Sequence, residues 1–216
     1  MGKLASGAAF GLVAPAAVYV YAANMAKNDN SVNMESSGER YHHGDLRRAL
    51  VETGLERLRD GPAEGLSLRE IARSVGVSAT AVYRHFPDKA ALLLALCIEG
   101  DAMLAEAFQA AMARAKPGHE AFDAMGQAYV RFALDHPALF RLMMSPSGAR
   151  RDGSKASAML GASLQELGGP NSTKAQLDVQ RLKAWSIVHG LAMLMLDGLV
   201  PADEALISQV IRADFV

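Results

Sequence analysis

Between Ser67 and Lys89 the chain sets strong cations beside small hydroxyl and methyl side chains, a mixture suited to a polyanion that carries information. Arg69, Arg73, Arg84 and Lys89 stand against Glu70 and Asp88, and a basic lead-in of Arg40, His42, His43, Arg47 and Arg48 precedes them. Guanidinium and ammonium groups donate charge-assisted hydrogen bonds to phosphate oxygens. Thr80 offers a hydroxyl to a base edge, and Ala79 offers only a methyl, which suits a thymine methyl and limits how much sequence can be read there. Lys89 falls at the start of a helix, where ammonium and backbone N–H can share one phosphate. Ser78 caps a helix, and the N–H groups it leaves free can face a phosphate backbone.

Other chemistries are poorly supplied. No Gly-rich phosphate loop, nucleophile elbow or metal-spaced histidine pair occurs, so no catalytic residue, metal ligand or cofactor is expected. His119-Glu120-x-x-Asp123 shares one helix face, but in a first turn where acidic residues are common anyway. His42-His43-x-Asp45 fits the basic arm better than a metal. The single cysteine, Cys97, excludes an intramolecular disulfide and lies on an apolar helix as a core residue would.

The elements that must position these groups read as helices throughout. Of the 216 residues 50% are hydrophobic and 21% charged, enough to build a core. Leu46, Leu50, Val51, Leu55 and Leu58 keep returning to one face over 44–60, and Gly61-Pro62 stops them. Ser67-x-x-Glu70 has the form of a capping box, with Leu68, Ile71, Ala72 and Val75 as the stripe that follows. Gly76 breaks this helix, Ser78 starts the next, and Pro87 limits it. Two helices joined so tightly need a small residue at their crossing, and Ala72 supplies it. Val82 and Phe86 then point inward, leaving Ala79, Thr80, Tyr83 and Arg84 outward, the layout of a helix-turn-helix. Asp88 caps a long helix expected to run about 28 residues to Pro117-Gly118, or about 42 Å. Further helices are expected over 119–135, 137–144, 154–167, 173–197 and 201–214. Nothing alternates with period two between hairpin turns, so the fold class is all-α.

The run Leu68-Arg-Glu-Ile-Ala-Arg-Ser-Val-Gly-Val-Ser-Ala-Thr-Ala-Val-Tyr-Arg-His-Phe-Pro-Asp-Lys-Ala-Ala-Leu92 resembles the DNA-binding domain of the tetracycline-repressor (TetR) family. Tyr83-x-His85-Phe86-x-x-Lys89-x-x-Leu92 is its most diagnostic part. Trp185-Ser-Ile-Val-His189-Gly190 is similar to the Trp-His-Gly type of C-terminal domain in the same family. The resemblance implies a dimeric, ligand-responsive repressor bound to a palindromic operator. It places Arg69 at a guanine edge or phosphate, and Tyr83, His85 and Lys89 on phosphates. The residues alone leave Arg69 as a solvated helix-start arginine, Tyr83 as a packed aromatic and His85 as a core histidine.

In the C-terminal half, Ala184 to Leu196 is apolar on every side of a helix and, at 13 residues, too short to span a bilayer. One side is expected inside the subunit and the other against a partner copy, with the last two helices of each subunit forming the dimer interface. Gly190 is expected to permit close helix approach. Trp185, His189 and Met193 fall on one stripe. With Tyr129, Phe132, Phe140, Met143, Met144 and Met159 they form either an effector pocket with His189 as its polar point, or core in which His189 bonds a backbone carbonyl.

The domain reading is a leader and linker over 1–38, a helix-turn-helix domain over 39–92, and a ligand-binding and dimerisation domain over 93–216. Residues 4–23 carry no charge and read as a misplaced upstream start, a membrane anchor or a cleaved leader. The formal net charge of −1, from 22 basic and 23 acidic residues, averages a basic end with a neutral-to-acidic body. The expectation is a cytoplasmic, homodimeric DNA-binding regulator, non-enzymatic, without stable membrane association, released from its operator by a small apolar or amphipathic effector. The alternatives are a helical carrier or enzyme with no DNA role, and a sensor tethered through residues 4–23.

Overall fold

The computed structural model describes residues 43–145 and 154–212. The expectations for residues 1–38, for Arg40 and His42, and for the end of the last helix past 212 lie outside the described residues.

The described residues form α1 (His43–Asp60), a 3-10 turn (Ala63–Gly65), α2 (Leu68–Val75), α3 (Ala79–His85), α4 (Lys89–Met112), α5 (His119–Asp135), α6 (Pro137–Met144), α7 (Lys155–Gly168), α8 (Lys174–Leu196) and α9 (Glu204–Val210), with no strand among them. Side chains start most of these helices. The hydroxyl of Ser78 accepts from the Ala81 N–H at 3.2 Å, and the Asp88 carboxylate from the Ala91 N–H at 2.8 Å. A reciprocal box opens α8: Thr173 accepts from the Gln176 N–H, and the Gln176 side chain accepts from the Thr173 N–H at 2.9 Å.

Helices α1, α2 and α3 pack as a small head, and α1 also lies along α4. At that crossing a Cβ on Gly54 would stand 2.9 Å from Leu96 Cδ2, so a larger residue there requires the Leu96 side chain to shift. The body is built on α4 and α5, with α6, α7 and α8 around them. Helix α6 touches α4 and α5 but also α1 and the 3-10 turn, so it bridges body and head. The core is continuous from Leu50, Ile71, Val82 and Phe86 through Leu92, Leu96 and Leu104 to Phe140, Ala192 and Ile207.

Three local expectations are corrected. The capping box at Ser67 does not form: Ser67 makes no side-chain cap bond, while its carbonyl accepts from the Glu70 and Ile71 N–H groups. The Glu70 carboxylate turns to Arg73, 4.0 Å away, instead of reaching back. The long helix is 24 residues, since past Met112 the Arg114 and Ala115 N–H groups bond carbonyls three residues back as the chain tightens ahead of Pro117. The last helix begins later than Pro201, because Asp203 is its cap, accepting from the Leu206 N–H at 2.8 Å, and it ends at Val210.

Candidate nucleic-acid interface and effector site

The head owes its shape to the turn between α2 and α3. Gly76 closes α2 at φ +78°, with its N–H on the Arg73 carbonyl at 3.2 Å and the Val77 N–H on the Ala72 carbonyl at 2.9 Å. This pair of bonds is a Schellman stop, which favours glycine at the left-handed position. Helix α3 has only seven residues and cannot hold itself. Two anchors fix it: Val82 is 0% exposed and Phe86, which caps it, 1%. The opposite face is open, with Ala79, Thr80 and Arg84 exposed and Tyr83 44% exposed. Ser78 is exposed at its start, and His85 is half-buried at its end.

The cations divide into two groups. Arg69 is exposed in the first turn of α2, and Arg48 is exposed on α1 within 3.6 Å of Glu52. Lys89 is half-buried, and its Nζ donates to the Glu64 carbonyl at 2.6 Å, tying the start of α4 to the 3-10 turn. An ammonium has three donors, so two are left for a phosphate. Arg47 sits differently from its neighbour Arg48. It is half-buried, its guanidinium Cζ lies 5.2 Å from the centroid of the Phe86 ring, and its Nε is buried without a hydrogen-bond partner. The physical reason is its register on α1, where 47, 50, 51 and 54 share the inward face.

In the body, α5, α6 and α8 bring Tyr129, Phe140, Met144, Trp185 and His189 together. Trp185 Nε1 donates to the Tyr129 hydroxyl at 3.1 Å, and that hydroxyl lies 3.2 Å from His189 Nδ1 and 3.7 Å from Met144 Sδ. Phe140 meets Tyr129 edge-on at 5.5 Å and tilts against His189 at 5.8 Å, and Trp185 tilts against His189 at 5.5 Å. A partner of His189 Nδ1 is thus a side-chain hydroxyl. Trp185 stays 39% exposed at the edge of the cluster. Phe132 lies instead against His136 at 4.9 Å, and Met143 sits against α4 at Gly100. Met193 and Met159 are half-buried against the core.

Along α8, Ala184, Leu191, Ala192 and Met195 are buried, while Val179, Leu182, Ser186 and Leu194 on the other side are exposed. Leu199, just past the helix, is 70% exposed. A Cβ on Gly190 would meet nothing within 4 Å, so the close approach expected there is not made within this chain. On the last helix Ile207 and Ile211 are buried, with Ile211 against Gly126 of α5.

Two ion pairs join distant elements and carried no motif in the sequence. Arg131 of α5 forks onto Glu204 of α9 with bonds of 2.6 to 3.0 Å, and Arg141 of α6 bonds Asp197 at 2.5 Å. The hydrogen bond from Arg131 holds the Glu204 carboxyl below its ordinary pKa and raises that of the guanidinium. Among the described residues no cluster of three His, Cys, Asp or Glu side chains could hold a metal, and no helix is long and apolar enough to cross a membrane.

Comparison with known proteins agrees with this architecture. Residues 50–96 match the family model described as bacterial regulatory proteins, tetR family, and residues 122–213 match tetracyclin repressor-like, C-terminal domain. A protein of unknown function from Rhodococcus sp. RHA1 is 32% identical, with a TM-score of 0.66 over 81% of this chain and 93% of its own. A TetR family transcription regulator from Marinobacter aquaeolei VT8 is 21% identical, with a TM-score of 0.57 over 76% of this chain and 91% of its own. A TetR transcriptional regulator from Rhodococcus sp. RHA1 is 22% identical, with a TM-score of 0.54 over 78% and 95%.

Proposed function

Because this chain belongs to the tetracycline-repressor family of DNA-binding transcription regulators, we propose that it is a homodimeric repressor that leaves its operator when a small apolar or amphipathic molecule binds the helical body. Residues 39–92 are the reading head and 93–216 the effector and pairing domain. The observation that carries the reading is α3, whose inward side is locked by Val82 and Phe86 while Ala79, Thr80, Tyr83 and Arg84 stand open. That helix enters a major groove. Ala79 and Thr80 meet base edges, and Ser78, Tyr83, His85, Lys89, Arg69 and Arg48 meet the phosphates.

A palindrome is read by two heads about 34 Å apart, which requires a two-fold dimer. The outward apolar side of α8, with Leu182, Leu194 and the bare Gly190, supports α8 as its principal seam. The effector contacts the cluster of Tyr129, Phe140, Trp185 and His189. Helix α6 carries Phe140 and Met144 and also touches α1 and the 3-10 turn that holds Lys89, so a shift of α6 on binding changes the spacing of the heads. The regulator acts in the cytoplasm, where its operator lies.

The test is selection of duplexes from a random-sequence pool by the full chain, followed by mobility-shift titration at several salt concentrations. A palindromic consensus with half-sites one helical turn apart, bound less tightly as salt rises, is the expected result. Failure to enrich any sequence overturns the reading. Trp185 is the single tryptophan, so its fluorescence reports effectors directly.

A further inference from the structure

We infer that Arg47 is a positioning residue for DNA recognition, acting through Phe86 and not through a phosphate. The inference rests on the DNA-reading role proposed for α3. Three observations carry it. The guanidinium of Arg47 lies over the ring of Phe86, with Cζ 5.2 Å from the centroid. Its Nε is buried and unbonded, so part of a cation has been withdrawn from water without a hydrogen bond in return. The ring beneath belongs to the residue that caps α3, with the Phe86 N–H on the Val82 carbonyl at 2.9 Å.

Withdrawing a charged group from water is costly unless another interaction offsets it, and the negative face of an aromatic ring is one that does. A leucine or methionine on the same face of α1 would fill the space without that cost. The guanidinium adds a directional attraction that fixes the plane of the Phe86 ring. Through the backbone of Phe86 this sets the tilt at which a seven-residue helix anchored by Val82 and Phe86 presents Ala79 and Thr80. Arg48 and Arg69, by contrast, are exposed.

The two ways an arginine can assist DNA binding differ in salt dependence. A phosphate contact releases counterions, and its loss lowers the slope of log K against log salt by about one unit. A positioning residue leaves the slope alone and weakens the selected sequence more than a scrambled one.

The experiment uses the full chain, a duplex selected by it from a random pool, and a scrambled duplex of equal length. Arg47→Met is expected to weaken the selected duplex by about 2- to 30-fold, the range of a cation–π contact, with an unchanged slope and a smaller effect on the scrambled duplex. In a Phe86→Leu background the same substitution should change the affinity by less than about 2-fold, because the ring it acts through is gone. Circular dichroism verifies that each variant is folded at the assay temperature, where a purely structural arginine would leave affinity untouched. If Arg47→Met does not fold, Arg47→Lys decides alone, since it keeps a phosphate-binding charge but loses the planar group. Lowered affinity with the parental slope supports the inference, and parental affinity and slope overturn it. A slope that flattens by about one unit in Arg47→Met, or an unchanged affinity in that folded variant, also overturns it. If the parent chain selects no sequence, the DNA-reading role fails together with the inference; if it selects one and Arg47→Met binds it normally, the inference alone fails.

Discussion

Replacing Lys89 by alanine separates two roles that share one side chain. In the free protein its ammonium donates to the Glu64 carbonyl at 2.6 Å and ties α4 to the 3-10 turn. Hydrogen bonds to charged groups contribute about 1.5 to 3 kcal/mol, but this one is half-exposed and the freed carbonyl rehydrates, so about 1 kcal/mol of stability should be lost. The two remaining N–H donors are those expected on a phosphate. Losing one phosphate contact should weaken selected and scrambled duplexes by the same factor and flatten the slope of log K against log salt by about one unit. Fluorescence anisotropy with both duplexes, from about 50 mM to about 200 mM salt, gives the slope, and urea unfolding gives the stability. A slope equal to the parent's, with stability reduced, would make Lys89 a strut alone and refute the docking of the α4 start onto the backbone. A flattened slope with unchanged stability would show that the Glu64 bond contributes nothing in solution.

The remaining predictions probe other links. Gly76→Ala meets no neighbour within 4 Å, so only the backbone at φ +78° resists it; urea unfolding should show a loss of about 1 kcal/mol, and no loss would contradict the left-handed stop of α2. Gly190→Leu points into open space in one chain, so circular dichroism should show an intact fold while sedimentation shows the dimer weakened; an unaffected dimer would exclude α8 from the seam. Glu204→Gln removes a carboxyl whose folded pKa is depressed by Arg131. Its contribution is fully present above the unfolded value near 4.5 and lost as pH falls through the lower folded value. The pair is exposed and worth at most about 1 kcal/mol, so the parent should exceed the variant slightly at about pH 6 and the gap should shrink as pH falls through the depressed folded value, whereas a gap that widens on acidification would reverse the assignment.

Much of the reading head was legible because its signals are local. Ser78 and Asp88 act as caps from residue type, Gly76 takes the positive φ only glycine adopts cheaply, and Val82 and Phe86 fall inward by spacing. What was missed depended on competition or on register. The Ser67 box had the right residues, but Glu70 had Arg73 one turn on as a rival partner. Arg47 was grouped with Arg40 and Arg48 as charge, although it lies three and four residues before Leu50 and Val51 and so falls on their face. The approach of Trp185 and His189 was readable from their four-residue spacing, whereas Tyr129 as the shared partner was not, since it comes from α5 through tertiary packing. An all-apolar helix such as the second half of α8 has no period by which to say which side faces inward, and only packing on α5 decides it.

The glycine at the crossing of α1 and α4 has a mechanical consequence. Gly54 lets Leu96 sit against the α1 backbone, so the head is seated on the first half of α4 and is geared to it. With 24 residues at 1.5 Å each, α4 is an arm of about 36 Å, and a swing of about 5° about its far end displaces the head by about 3 Å. That is close to the 3.4 Å rise of one base pair per strand, so in the dimer proposed above a rotation of that size would put the two heads out of step with a duplex. A bulkier residue at position 54 would put slack into that gear without touching the reading surface or the effector cluster.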